Sequence, residues 1–264
     1  MSIIIEGRII PMTIVLAFVA LFLLIHYLIS KGRMQLNVRK ITQLDALADI
    51  LDRCVEMGKP AFYYQSWGAK FSDKSCIDAV ASIDVLDHVA REAATKGINL
   101  IVSPMSGEMY PHDVETVREA YSAVGRLDQF NPDNIRYYSD YMTTWMAANY
   151  PLVDKERPAA IIGMGGVGDD IYYFTAYMVI HNIDHVAIAG SGAVSHVAYI
   201  IIGADEWLVG DEYYAAAIVL GGKGALSGSL ITTDLFKLAS IVVLILGLVI
   251  TTLGSSFLLD LLSL

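Results

Sequence analysis

The stretch from Ala159 to Gly190, AAIIGMGGVGDDIYYFTAYMVIHNIDHVAIAG, constrains the fold more than any other part of the chain. Following Pro158, the apolar run Ala159, Ala160, Ile161 and Ile162 has the bulk and length of a strand buried on both faces. Gly163, Gly165, Gly166 and Gly168 then permit a sharp turn free of Cβ clashes. Asp169 and Asp170 fall where a helix begins, and carboxylates there offset the unpaired N–H groups and the helix dipole. A second apolar run, His185 to Ala189, follows the helix and ends at Gly190. A strand, a turn, a helix and a strand in that order make a parallel crossover, so the chain is α/β.

The remainder of the chain repeats the alternation. Ile41, Leu44, Leu47, Leu51, Cys54 and Val55 recur at helical spacing, with Asp45, Asp49 and Asp52 opposite, which predicts an amphipathic helix over 41–57. Gly58 and Pro60 end it. Strands are expected at 61–67, 98–102 and 206–209, and helices at 75–96, 113–124, 137–149 and 211–220. A loop running through Pro111 precedes the helix at 113–124, and 151–157 reads as a charged linker. Gly190, Ser191, Gly192 and Ala193 form a second small-residue loop that opens an apolar helix ending near Ile202. The expected architecture is α/β, a Rossmann-like, mostly parallel sheet with helices on both faces.

Two charge-free runs flank this domain. Ile9 to Ser30 and Leu238 to Leu259 contain no Asp, Glu, Lys or Arg, and each reaches the ~20 residues that cross a bilayer. They raise the apolar share to 55 % and hold the charged share to 17 %. The expected organisation is therefore an outer N-terminus at 1–8, transmembrane helices at 9–30 and 238–259, and an amphipathic linker helix within 31–58. An α/β domain at 59–222, a glycine-rich linker at 223–237 and a tail at 260–264 complete it. The first run is too long for a signal-peptide core and has no small-x-small cleavage site after it. Lys31, Arg33, Arg39 and Lys40 follow it and Lys237 precedes the second run, so positive charge places the central domain in the cytoplasm and both termini outside.

Charge and cysteine content exclude some roles. The net charge of −10 argues against nucleic acid, which selects basic surfaces. Cys54 and Cys76, the only two cysteines, have neither metal-ligand nor redox spacing and are expected as reduced thiols.

Gly163, Gly165 and Gly168 match G-x-G-x-x-G between a strand and a helix, where backbone N–H groups can hold a phosphate. Two carboxylates, Asp169 and Asp170, stand where a pyrophosphate would sit. The strand ending at Ala189 also lacks the acid that a dinucleotide ribose requires. The candidate ligand residues are thus Gly163, Gly165, Gly166, Gly168 and Asp169 on one loop, with Gly190, Ser191 and Gly192 on the other. Ser195 and His196 are adjacent, so on a helix their side chains diverge and form no nucleophile–base pair. His181, His185 and His196 would hold a metal only if the fold gathered them at the C-terminal edge of the sheet, beside Asp169 or Asp170. Glu108, His112 and Asp113 read as a solvated loop and helix start. No catalytic set, metal or cofactor is expected.

The block Gly203-Ala-Asp-Glu-Trp-Leu-Val-Gly-Asp-Glu-Tyr-Tyr-Ala-Ala216, which leads toward the terminal apolar run, resembles an uncharacterised prokaryotic family. The resemblance extends from about the Gly163 loop onward. It implies a membrane-anchored α/β protein of unknown function and supplies no catalytic residues.

The expected function is that of a membrane-tethered module that self-associates or scaffolds a membrane complex. Its partners would be the bilayer and other subunits, and Tyr, Trp and Met, which favour interfaces, are abundant. The rival expectation is a small-molecule or nucleotide site at the loops 163–168 and 190–193.

Overall fold

Alternate residues of one short run feed two different cores. Ala61 and Tyr63 pack on one side of the sheet and Phe62 and Tyr64 on the other, and all four are buried. That alternation belongs to a strand covered on both faces. The computed structural model describes residues 9–31, 33, 41–72, 76–221 and 227–252. They form two units, one of Val38–Gly222 and one of Met1–Asn37 with Lys223–Leu264.

The first of these units is an α/β domain. Its strands are β1 (Ala61–Gln65), β2 (Leu100–Pro104), β3 (Ala160–Gly165), β4 (Val186–Ser191) and β5 (Glu206–Val209), in the order β2-β1-β3-β4-β5 and all parallel. The Tyr63 face is covered by α2 (Thr42–Met57), α3 (Cys76–Lys96), α4 (Met109–Ala123) and α8 (Asp211–Gly221). The opposite face is covered by α5 (Met142–Glu156), α6 (Asp169–Ile180) and α7 (Val197–Gly203). The mostly parallel sheet with helices on both faces is as the sequence implies. The chain turns left from β1 to β2 and right from β3 onward, and its crossover helices change face accordingly, as right-handed connections require.

Burial of Trp145, Phe174, Phe62 and Tyr64 in one cluster stabilises the second face by about 1.5–3 kcal/mol per large side chain. The Trp145 indole N–H keeps a partner there, donating to Ser103 Oγ at 3.0 Å. On the first face, α2 contributes Leu47, Leu51 and Cys54 to the main core, so the helix expected as a linker packs within the α/β unit.

Several boundaries differ from expectation for physical reasons. Helix α4 starts at Met109 because Pro111 lies in the first turn, where no N–H is needed. Helix α5 begins at Met142 and runs through Pro151 to Glu156, so 151–157 is not a linker. Leu152 and Val153 join the Trp145 core, and this packing offsets the hydrogen bond that Pro151 cannot donate. The second small-residue loop leads first into a 3-10 turn, Val194–His196, and only then into α7.

In the other unit, α1 (Ile9–Ser30) packs with α9 (Ser227–Thr252), Phe18 meeting Phe236 edge to face at 4.7 Å. Helix α1 is long and apolar enough over Met12–Ile29 to cross a membrane, and among the described residues it alone meets that test. The stretch expected as a glycine-rich linker, 223–237, is helical from Ser227. The second apolar run is helical from Leu238 to Thr252, and 253–259 lie outside the described residues, as do 1–8 and 260–264.

Candidate functional site

The strand order reverses between β1 and β3, and open α/β sheets take ligands outside the C-terminal ends of such a pair. Three loops meet at that edge: 66–72 after β1, 166–168 after β3 and 192–196 after β4. Ser66 N–H donates to Met164 O at 3.0 Å, and Gly166 bridges Ser191. The two glycine loops therefore lie side by side, as their placement after adjacent strands requires.

Within this edge the candidate residues play different parts. Gly163 lies inside β3 rather than in the loop, and a Cβ there would collide with the Tyr64 ring. Gly190 lies inside β4, where a Cβ would meet Met164 Sδ at 2.5 Å. Both are small because aromatic or sulfur side chains cross them. Gly165 ends β3 with φ of +105°, a backbone conformation that L side chains rarely adopt. Gly166 faces Gly68 of the first loop so closely that a Cβ on it would lie 2.5 Å from Gly68 Cα. Gly192 covers the Tyr214–Asp78 hydrogen bond, leaving no room for a Cβ. Ser191 is fully buried and its Oγ accepts from Ala193 N–H at 3.1 Å, which caps the turn rather than a helix.

Gly168 is the N-cap of α6, and its N–H donates to Asp170 Oδ1 at 2.7 Å. Asp169 is partly exposed in the same first turn. Asp170, which the candidate set omits, is 1 % exposed. Burial raises its carboxyl pKa, while the Gly168 N–H and the Ser66 and Tyr64 hydroxyls favour the ionised form. Asp170 Oδ2 and the buried Tyr64 hydroxyl make no hydrogen bond of normal geometry. The position that an incoming phosphate would take at this helix start thus holds a carboxylate of the chain's own.

A second buried acid sits beside the Gly190 loop. Asp78 Oδ1 accepts from Tyr214 Oη at 2.6 Å, and Asp78 O accepts from Tyr213 Oη at 3.1 Å. Burial raises the Asp78 pKa, whereas the Tyr214 hydroxyl and the nearby His196 lower it. His196 has Nδ1 3.1 Å from Val167 O, and its ring lies over Gly168. The block expected to carry a family resemblance is structural in this setting: Glu206–Val209 is β5, Tyr213 is core, and Tyr214 holds Asp78.

The histidines do not converge. His181 ends α6 and His185 precedes β4, at the N-terminal edge of the sheet, whereas His196 lies at the C-terminal edge. No group of three metal-ligating side chains occurs among the described residues. The loop after β2 is not simply solvated either. Glu108 accepts from the Ser72 N–H at 3.1 Å and from its hydroxyl, and His112 packs edge-on to Phe71.

Asp113 is fully buried, against expectation. Burial pushes its carboxyl well above the ordinary range, opposed in part by the neighbouring Gln65 side chain, although neither carboxylate oxygen has a hydrogen bond of normal geometry. Gln65 in turn donates to Ser82 Oγ at 3.2 Å. Gly68, Asp78, Asp170 and Tyr214 were missed because their roles arise from contacts between loops distant in the chain. Asp170 alone had a local signal, its place in a helix first turn.

No curated protein and no solved structure matches the chain. A family model described as a domain of unknown function, DUF6754, matches residues 2–262, well beyond the C-terminal portion that the sequence block suggests. The chain belongs to the DUF6754 family.

Proposed function

We propose that this protein is a membrane-anchored α/β module that works by association, with copies of itself and as a structural subunit of a membrane complex. The observation that carries the reading is the filling of the ligand-binding edge by the chain's own groups. Gly68 lies against Gly166 at backbone distance, and the Asp170 carboxylate occupies the Gly168 N–H. A nucleotide or other small molecule at the loops 163–168 and 190–193 would have to displace these buried contacts, so the rival reading has less support.

Support for association comes from the large side chains left at the surface, among them Trp67, Tyr141, Ile180 and Ile202. Aromatic side chains of this kind are enriched where proteins meet. The anchoring part of the proposal takes α1 and the run 238–259 as two spans, with the α/β unit cytoplasmic and both termini outside, on the distribution of Lys and Arg. The packing of α9 on α1 favours a paired anchor. Retention of the chain in the membrane fraction after carbonate washing is expected, and release would remove the anchor from the account.

Gentle extraction from native membrane followed by mass measurement tests the reading. Particles containing two or more protein subunits are expected. A strictly monomeric chain with no companion protein contradicts it. A thermal-shift screen with nucleotides addresses the rival, and a shift abolished by a bulky residue at Gly165 would favour the ligand reading instead.

A further inference from the structure

Between α4 and α5 the chain makes a 3-10 turn, Pro132–Asn134, and then lies along the outer side of β2. Ile135 bridges Val102, Arg136 N–H donates to Val102 O at 2.8 Å, and Ser103 Oγ donates to Arg136 O at 3.2 Å. Asn131 Oδ1 caps the turn by accepting from Asp133 N–H at 3.1 Å, and Asn134 Nδ2 donates to Asn99 Oδ1 at 2.7 Å. Further on, Asp140 Oδ1 accepts from Gly107 N–H at 3.0 Å. The segment 131–140 is thus fixed to β2 and to the loop after it, which sets its side chains in place before anything binds.

A cavity of about 440 Å³ opens on this segment, lined by Tyr110, Asp133, Ile135, Arg136, Tyr137 and Tyr138. Ile135 is buried, Arg136 is half-buried, and the three tyrosines keep part of their rings at the surface. Tyr110 belongs to the first turn of α4, and the Tyr137 ring is backed by Gly107, where a Cβ would lie 3.3 Å from it. The volume is that of a small-molecule site. Its place beside the C-terminal end of β2 is on the edge where open α/β sheets take ligands.

Arg136 gives the cavity its chemistry. Its Nε donates to Asp133 O at 2.9 Å, which holds the guanidinium and leaves its terminal amino groups without a protein acceptor among the described residues. Arg53, Arg91 and Arg118, by contrast, each pair with a carboxylate. In a chain of 28 acidic and 18 basic residues, a held guanidinium that no carboxylate of the chain has taken is complementary to an anion from outside. Its planar fork matches the two oxygens of a carboxylate. The three tyrosine rings supply surface for a flat apolar body. The Asp133 carboxylate, also at the cavity, disfavours a ligand of higher negative charge.

We propose that this cavity binds a small aromatic carboxylate, its anionic group held by Arg136 and its ring set against Tyr110, Tyr137 and Tyr138. The site shares no residue with the glycine loops and does not depend on the association reading.

Ligand-observed NMR on the full chain in lipid nanodiscs tests it, with benzoate as probe, the uncharged benzamide as control and empty nanodiscs as blank. Expected is saturable benzoate binding, benzamide at least tenfold weaker, and an at least tenfold loss of benzoate affinity in Arg136→Gln, as loss of a charged hydrogen-bond donor implies. Absence of saturable benzoate binding, or equal binding of benzamide, overturns the site. Benzoate binding unchanged by Arg136→Gln overturns it as well. Should that variant fail to fold, Tyr138→Ala decides instead: a benzoate affinity at least threefold lower supports the cavity, and an unchanged one overturns it.

Discussion

Gly68 and Gly166, 98 positions apart in sequence, meet so closely that neither tolerates a side chain: a Cβ on Gly68 would lie 2.6 Å from Gly166 Cα, and one on Gly166 would lie 2.5 Å from Gly68 Cα. The obstructing atoms are backbone, so no rotamer relieves the clash. Gly166→Ala is expected to lower stability by about 1–3 kcal/mol, the range of overpacked interiors. Gly68→Ala should cost a similar amount and the double variant less than the sum, because the two share one contact. Thermal melting of the full chain in detergent checks this, and additive losses would place the strain elsewhere.

Asp113 gives stability a defined pH dependence. Desolvation raises its folded-state pKa well above the unfolded value of about 3.9. The folded state therefore binds the extra proton, and the contribution of this group is full below about pH 4 and is lost as pH rises until the folded carboxyl ionises. Asp78 and Asp170 are shifted in the same direction by burial. Asp113→Asn should flatten the decline above about pH 4, by up to about 1.4 kcal/mol per pH unit until the folded carboxyl ionises. Denaturation of the parent and variant across that range reads the difference, and parallel curves would contradict the assignment.

Much of this architecture is legible in the sequence, because the relevant signals are local. Glu206–Val209 is a strand as expected, and α2, α3 and α8 lie within a residue of their expected bounds. Pro111 and Pro151 misled because a proline's effect depends on its place in a helix and on what packs beyond it. The candidate site was legible as a place and not as a structure. Adjacent parallel strands must bring the Gly165 and Gly192 loops together. Whether the space between them is open depends on Gly68, Asp78 and Tyr214, which arrive from other elements.

Tyr214 ties α8 to α3 through a bond to a buried carboxylate, Asp78. Tyr214→Phe removes the donor and leaves that oxygen unpaired, at an expected cost of about 1.5–3 kcal/mol. The Tyr214 hydroxyl lowers the Asp78 pKa, so the loss should be larger at high pH, with Asp78 ionised, than at low pH, with it protonated. A loss independent of pH would mean that packing, not the charge, is what the hydroxyl serves.

The two thiols should differ sharply in reactivity. Cys54 is buried in the main core, where desolvation pushes its thiol up to about 11, and Cys76 is exposed at the start of α3. An alkylating reagent at pH 7.5 is expected to label Cys76 in the folded protein and Cys54 only after denaturation. Mass spectrometry of the digested protein reads both sites, and early labelling of Cys54 would show that α2 opens.

Association within a bilayer is the central claim, and energy transfer between two differently labelled pools of the full chain in lipid vesicles tests it most directly. With protein dilute in lipid, the account predicts transfer well above the level set by random encounter. Transfer at the random-encounter level for the parent chain would contradict it.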